Sequence, residues 1–231
     1  MRSRSDNDSE PIHAVVPLNV PRKSKARLSK LLHPMERAQL AIAMLSDVLS
    51  ALKGSRRVLA TTVVSADKGV QKIARAFGAD FVWEGERRGL NKGLRMAISK
   101  SQRRGASAAL VVHADLPFLT SQEVDRFLAM SGGYSIALAP SKDGTGTNAL
   151  LLKPPDVIRP AFGRDSFNRH LRLAEQKKLR CRVVKLRGIS FDVDVPRDLQ
   201  ELTRHPTQNA TFRFLSKLDV RSGPHILRER R

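Results

Sequence analysis

Leu110-Val111-Val112-His113-Ala114-Asp115-Leu116-Pro117 is the stretch from which the rest of the chain is best read. Three consecutive apolar residues, Leu110 to Val112, have the character of a buried strand, and Pro117 prevents its continuation. Asp115 is therefore delivered just past a carboxyl end, where open α/β sheets bind their ligands. A second acidic station, Phe191-Asp192-Val193-Asp194, comes much later and is again followed by a proline, Pro196. If residues 189–193 are a strand, alternation puts Asp192 and Asp194 on one face, so both can reach one site. Two acidic stations on a basic chain suggest a cation-assisted reaction on an anionic substrate.

Working outward from that motif, strand and helix signals alternate. Residues 13–18 read as a first strand, followed by a basic loop that carries Arg22, Lys23, Lys25 and Arg27. Residues 34–52 carry a helical stripe, Leu40, Met44, Val48 and Leu52, with Gly54 as the stop. Strands are expected at 57–64 and 80–83, and helices at 68–77 and 90–104, closed by Gly78 and Gly105. After the central motif, a helix over 120–130 opens on Thr120 with Glu123 completing a capping box. Strands over 134–139 and 148–152, a helix over 166–178, strands over 182–186 and 189–193, and a closing helix over 196–203 complete the pattern. This is an α/β chain, with a mainly parallel sheet and helices on both faces. Residues 1–12 read as a disordered tail, 13–204 as one domain, and 205–231 as an unpatterned extension or an arm for a partner subunit.

The bulk composition narrows the function. At 231 residues the chain can bury one sizeable core, and no apolar run approaches the roughly 20 residues that span a bilayer. A cytoplasmic location without membrane contact is the expectation. The lone Cys181 excludes an internal disulfide and reads as a small packing residue. The net charge of +20 favours anionic partners, either nucleic acid or phosphorylated metabolites. With only 5% aromatics and no RNA-binding signature, a phosphate-binding pocket is the preferred reading over dedicated nucleic-acid binding.

Several segments carry candidate chemistry. The loop Gly144-Thr145-Gly146-Thr147-Asn148 is either a hairpin connection or an anion cradle with side-chain donors from Thr147 and Asn148. Gly163 and Ser166 precede a helix, where free N–H groups and the dipole suit a phosphate or carboxylate; capping by Asp165 or Ser166 is the plainer alternative. Asp115, Asp192 and Asp194 suit magnesium, which takes a few carboxylates plus phosphate oxygens and water; capping of the last helix by Asp198 and one of the later pair is the alternative. Asn91 can contact a base edge or cap its helix. Lys25 and Arg27 sit where a triphosphate would be held, without P-loop spacing.

In that order the segments resemble the 2-phospholactate guanylyltransferase family of coenzyme F-420 biosynthesis, which includes phosphoenolpyruvate and 3-phosphoglycerate guanylyltransferases. The resemblance runs through Val16-Pro17, Lys25-Ala26-Arg27-Leu28, Gly89-Leu90-Asn91 and His113-Ala114-Asp115-Leu116-Pro117. It continues through residues 144–148, Phe162-Gly163 with Ser166 and His170, and Asp192-Val193-Asp194-Val195-Pro196 with Asp198-Leu199. It implies a GT-A-like (Rossmann-like) nucleotidyltransferase fold that transfers GMP from GTP to a three-carbon phospho-acid, with Mg2+ on Asp115, Asp192 and Asp194. It further implies nucleotide contacts from Pro17, Lys25, Arg27, Leu90 and Asn91, and acceptor contacts from Thr147, Asn148, Gly163 and Ser166. Asn19 departs from the family's usual lysine, a gap for Arg22 or Lys23 to fill. Another nucleotidyltransferase of this fold is the enzyme alternative, disfavoured because residues 17–28 lack glycine. A homodimer is compatible with the C-terminal extension.

Overall fold

The computed structural model describes residues 10–19, 25–85 and 89–222. Arg22, Lys23 and nearly all of the expected N-terminal tail lie outside the described residues. Seven strands form one sheet in the order β3-β2-β1-β4-β6-β5-β7. β1 (Ile12–Leu18), β2 (Val58–Ser65) and β3 (Asp80–Trp83) run parallel, and β4 (Ala108–Val112) lies parallel on the other side of β1. β6 (Thr147–Leu152) is antiparallel to both β4 and β5 (Ile136–Pro140), and β7 (Cys181–Val183) pairs parallel with β5 at the edge.

Alternation along the strands divides the core in two. Ala14, Val16, Leu110 and Val112 face α1 (Pro34–Gly54), α2 (Val70–Ala76) and α4 (Ser121–Met130). Val15, Ala109 and Val111 face α3 (Leu90–Arg103) and α5 (Ser166–Gln176). β1 and β4 are buried along their whole length, as strands covered on both faces must be, and this explains the apolar runs of residues 14–18 and 108–112; His13 is the buried polar exception. Because β2 and β4 lie on opposite sides of β1, the chain reverses its direction of winding there. The carboxyl ends of β1 and β4 therefore border the crevice at the topological switch point.

Three expectations need correction. Residues 189–193 are not a strand: Arg187–Ser190 form a helical turn, α6, and Phe191 to Val195 run on without ladder pairing. The turn is possible because residue 188 is glycine. A Cβ there would collide with the Phe118 carbonyl and the Glu123 carboxylate. Glu123 does not close a capping box either. Thr120 accepts from the Glu123 N–H, but Glu123 Oε1 accepts from the Gly188 N–H at 2.9 Å. Lastly, residues 205–231 are not an unpatterned extension through their described part. After α7 (Pro196–Arg204), α8 (Ala210–Ser222) packs on α1, with Leu215 and Leu218 joining Leu40, Met44, Leu199 and Leu202 in a third apolar cluster. The polar stripe of α8 hides this pattern from a reading based on composition.

Candidate active site

The two acidic stations meet. The Val193 N–H donates to the Asp115 carbonyl at 3.2 Å, which binds the segment after α6 to the segment after β4. Lys25 joins them from a third direction: its Nζ lies 2.6 Å from Asp115 Oδ2 and 2.8 Å from Asp194 Oδ1. Lys25 itself sits in the left-handed region (φ 54°) just before a short 3-10 turn, Ala26–Leu28, whose Leu28 is fully buried. Leu28 thus anchors the turn and points the lysine inward. Burial works against the ammonium, but Asp115 and Asp194 outweigh it and hold its pKa well above the usual lysine range. Burial likewise opposes the Asp115 charge, and Lys25 and His113 overcome that, so its carboxyl lies below the ordinary value. Asp115 Oδ1 is buried without a hydrogen-bond partner.

Asp192 is oriented differently. Its Oδ1 accepts from Asn148 Nδ2 at 3.3 Å and from the Lys142 N–H at 3.4 Å. Burial, then the charge of Asp115, raise its pKa. The three carboxylates therefore adjoin, yet among the described residues no three His, Cys, Asp or Glu side chains form a group able to hold a metal ion as they stand. Asp198 takes the capping role on α7, with its Oδ2 accepting from the N–H groups of Asp194 and Val195 at 2.7 and 2.8 Å. Of the later pair, Asp194 lines the cleft with its Oδ1 held by Lys25, while Asp192 is buried behind it against Asn148 and the Lys142 N–H. Lys142, which the sequence did not single out, donates to the Asp192 carbonyl at 2.8 Å and pairs with Asp198.

A cleft of about 350 Å³ opens here, lined among others by Pro17, Asn19, Lys25, Leu90, Asp115 and Asp194. A separate cavity of about 1020 Å³ lies at the opposite end of the strands beside Ile12, Val58 and Ala108, away from these carboxylates. Arg27 is exposed and does not line the cleft. Asn91 does not cap α3, and its amide is engaged by the loop before α5. Its Nδ2 donates to the Phe162 carbonyl at 2.9 Å and its Oδ1 accepts from the Phe162 N–H at 2.8 Å. One side-chain amide imitates a backbone pairing, using one of its two N–H groups and one acceptor site of its oxygen.

Next to Asp192, a second set of expected residues is clustered. Thr147, Asn148 and Ser166 are buried, and Ser166 Oγ lies 3.3 Å from Thr147 Oγ1. His170, fully buried, orders them. Its Nε2 accepts from the Ala161 N–H at 2.9 Å, so Nδ1 carries the proton and donates to Thr147 Oγ1 at 3.0 Å. Burial, then the charges of Arg169 and His113, lower its pKa to about 4, consistent with a neutral ring. Thr147 Oγ1 thus accepts from His170, which leaves its own O–H to donate elsewhere. Gly163 adopts φ +118°, and a Cβ there would approach Arg169 to 3.1 Å. The Phe162 ring bridges His113 and His170, with centroids 5.1 and 4.9 Å away. The glycine loop is a hairpin connection, not an anion cradle. Its Gly144, Thr145 and Gly146 N–H groups are taken by Ser141 O, Asp143 Oδ1 and Ser141 Oγ.

The family model described as "Guanylyl transferase CofC like" matches residues 12–229. The chain belongs to this family. The match extends through α8, beyond the segments from which the resemblance was read. A phosphoenolpyruvate guanylyltransferase of Sphaerobacter thermophilus is 42% identical over 86% of this chain and 95% of its own length. A 2-phospho-L-lactate guanylyltransferase of Methanocaldococcus jannaschii is 30% identical (91% and 90% covered), and a 3-phospho-D-glycerate guanylyltransferase of Phenylobacterium zucineum 34% identical (86% and 92%). Among solved structures, a protein from Desulfovibrio desulfuricans G20 described as a nucleotide-diphospho-sugar transferase matches with TM-score 0.74 at 19% identity, covering 91% of this chain and 96% of that one. The CofC-like chain is a nucleotidyltransferase of GT-A-like fold. Lys142, His170 and Arg169 are the site neighbours that sequence spacing did not reveal as such; Lys142 meets Asp192 and Asp198, and His170 meets Thr147, across long stretches of chain.

Proposed function

We propose that this protein transfers GMP from GTP to the phosphate of a three-carbon phospho-acid, phosphoenolpyruvate, 2-phospho-L-lactate or 3-phospho-D-glycerate, as a step of coenzyme F-420 biosynthesis. The observation that carries the reading is the convergence of Asp115 and Asp194 on Lys25 at the mouth of the crevice. An acceptor phosphate oxygen forms a new bond to the α-phosphorus of GTP, and the bond from that phosphorus to the β-phosphate oxygen breaks. Pyrophosphate leaves with the electron pair. A phosphate is already ionised at neutral pH, so the chain supplies position and charge rather than a strong base.

Asp115, Asp192 and Asp194 would hold Mg2+ after a side-chain shift that brings them closer and releases Asp115 and Asp194 from Lys25. Their oxygens are the hard donors this ion takes, and Asp115 Oδ1 is a buried acceptor with no partner of its own. Bound there, magnesium would neutralise phosphate charge as it develops. Lys25 follows the triphosphate and offsets its charge, while Pro17 and Leu90 border the nucleoside. Thr147 donates its hydroxyl to the acceptor, assisted by Asn148, Ser166 and the backbone at Gly163.

The test is pyrophosphate release with GTP or ATP crossed with the three acids, with and without Mg2+. Release is expected with GTP, one or more acids and Mg2+ only, and Asp115→Asn should lower kcat/KM at least about 100-fold. Silence with every pair, accompanied by tight salt-sensitive nucleic-acid binding that survives Asp115→Asn, would overturn the reading.

A further inference from the structure

Glu84 is a buried acid that none of the chemistry above uses. It follows β3, is only 7% exposed, and makes no ion pair among the described residues. Its Oε2 is buried without a hydrogen-bond partner. Burial alone pushes its carboxyl pKa up. An uncompensated buried carboxyl costs stability, so it needs a reason to be there.

Its position supplies one. The strand register aligns Leu18 of β1 with Ser65 of β2, and Ser65 with Trp83 of β3. The Glu84 N–H donates to the Ser65 carbonyl at 3.1 Å, which fixes Glu84 at the carboxyl edge. Two strand spacings, about 10 Å, separate it from the Leu18 end of the cleft, roughly the reach of a nucleoside. The first turn of α3 lies between the two places. Leu90 in its first turn lines the cleft, and Gly93, one turn on, lies against Glu84. A Cβ on residue 93 would fall 2.5 Å from Glu84 Oε2 and 2.8 Å from Val64 Cγ1, so the glycine makes the room the carboxylate occupies.

We infer that Glu84 is the base-specificity determinant of the nucleotide site, its carboxylate accepting from the N1–H and 2-amino groups of guanine. This rests on the guanylyl-transfer reading and names the group that selects the nucleotide. Guanine presents two adjacent donors that match two carboxylate oxygens. Adenine presents a ring-nitrogen acceptor at the same edge and is repelled. Hypoxanthine keeps N1–H and lacks the amino group, so ITP isolates one of the two bonds. A site built around a hydrogen bond rejects the analogue that lacks it, because the site's own group is left unpaired.

The experiment measures equilibrium binding of GTP, ITP and ATP, with Mg2+, to the wild-type protein and to Glu84→Gln and Glu84→Met. The wild type is expected to bind GTP at least about tenfold tighter than ITP, and ATP weakest. In Glu84→Met the GTP:ITP ratio falls to about one, and the melting temperature rises because an unpaired buried acid is gone. Glu84→Gln gives an intermediate ratio. A retained GTP:ITP ratio in folded Glu84→Met overturns the inference and leaves guanylyl transfer standing. A wild type that prefers GTP over ATP but does not distinguish GTP from ITP overturns it too, without dependence on any variant. A wild type that binds no nucleotide, with no pyrophosphate release from any pair, removes the transfer reading and this inference with it.

Discussion

At the scale of single residues, His170 carries the sharpest expectation. Its ring is neutral in the folded chain because Nε2 must accept from the Ala161 N–H, and its pKa of about 4 lies below the unfolded value of 6.5. Between those values the unfolded chain binds a proton that the folded chain refuses, so stability rises with pH across that window. The contribution is complete above pH 6.5 and is lost as the pH falls towards 4. Fully developed, it is on the order of 3 kcal/mol. Thermal melts between pH 7 and 4.5 should show a falling midpoint whose slope is shallower in His170→Gln; equal slopes would remove His170 as the cause. The sequence marked His170 only through family resemblance, because its partners Thr147 and Ala161 come from a strand and a loop. Asp115 was legible because its neighbours make it so: three apolar residues before it and a proline after it. Lys25 was legible as a basic residue of the loop after β1, but not as the bridge between carboxylates 90 and 169 positions away.

Elements were legible wherever period and punctuation agreed, as in α1, α4 and the run into β4. The signal failed where a short segment is fixed by what it packs against. Arg187–Ser190 coils because Gly188 fits under Phe118 and Glu123, a constraint no local pattern carries. α8 was missed for a related reason: its first turn is capped from another helix. Asp47 of α1 accepts from the Ala210 N–H, the Thr211 N–H and Thr211 Oγ1 at 2.7, 3.0 and 2.5 Å. A carboxylate there satisfies otherwise orphaned donors and complements the helix dipole. Asp47→Ala strands two buried donors of Thr211 and the half-buried Ala210 N–H and should cost about 2–3 kcal/mol, with α8 becoming the first site of limited proteolysis. Asp47→Asn should cost less. Met44 both packs with Leu215 and Leu218 and lines the cleft, so loosened α8 should also weaken GTP binding. Asn91 makes a second joint, between α3 and the loop before α5. Asn91→Ala should destabilise by about 2 kcal/mol and raise KM for the acid more than KM for GTP, since the Phe162 loop carries Gly163. An effect confined to the GTP constant would place Asn91 on the nucleotide instead.

For the whole molecule the dominant quantity is charge, +20 over 231 residues. Composition alone left two explanations, and the fold separates what each requires. A nucleic-acid binder needs its basic surface at equilibrium, whereas a nucleotidyltransferase uses it to gather anionic substrates towards a cleft where one lysine already faces two carboxylates. The distinction is measurable through salt. Screening shortens from about 10 Å at 0.1 M to about 3 Å at 1 M, so long-range attraction fades while contacts inside the cleft persist. For the transfer reaction, raising KCl from about 0.05 M to about 0.5 M should lower kcat/KM for GTP by roughly tenfold and leave kcat within about twofold. The loss falls on encounter, and the step after binding is governed by groups held at fixed distances. If kcat collapses in parallel, salt is acting on the cleft itself, and the surface charge has no steering role. The pairing of Lys25 with Asp115, both shielded from solvent, would then be the component to probe, because a buried ion pair should resist the same salt that screens the exterior.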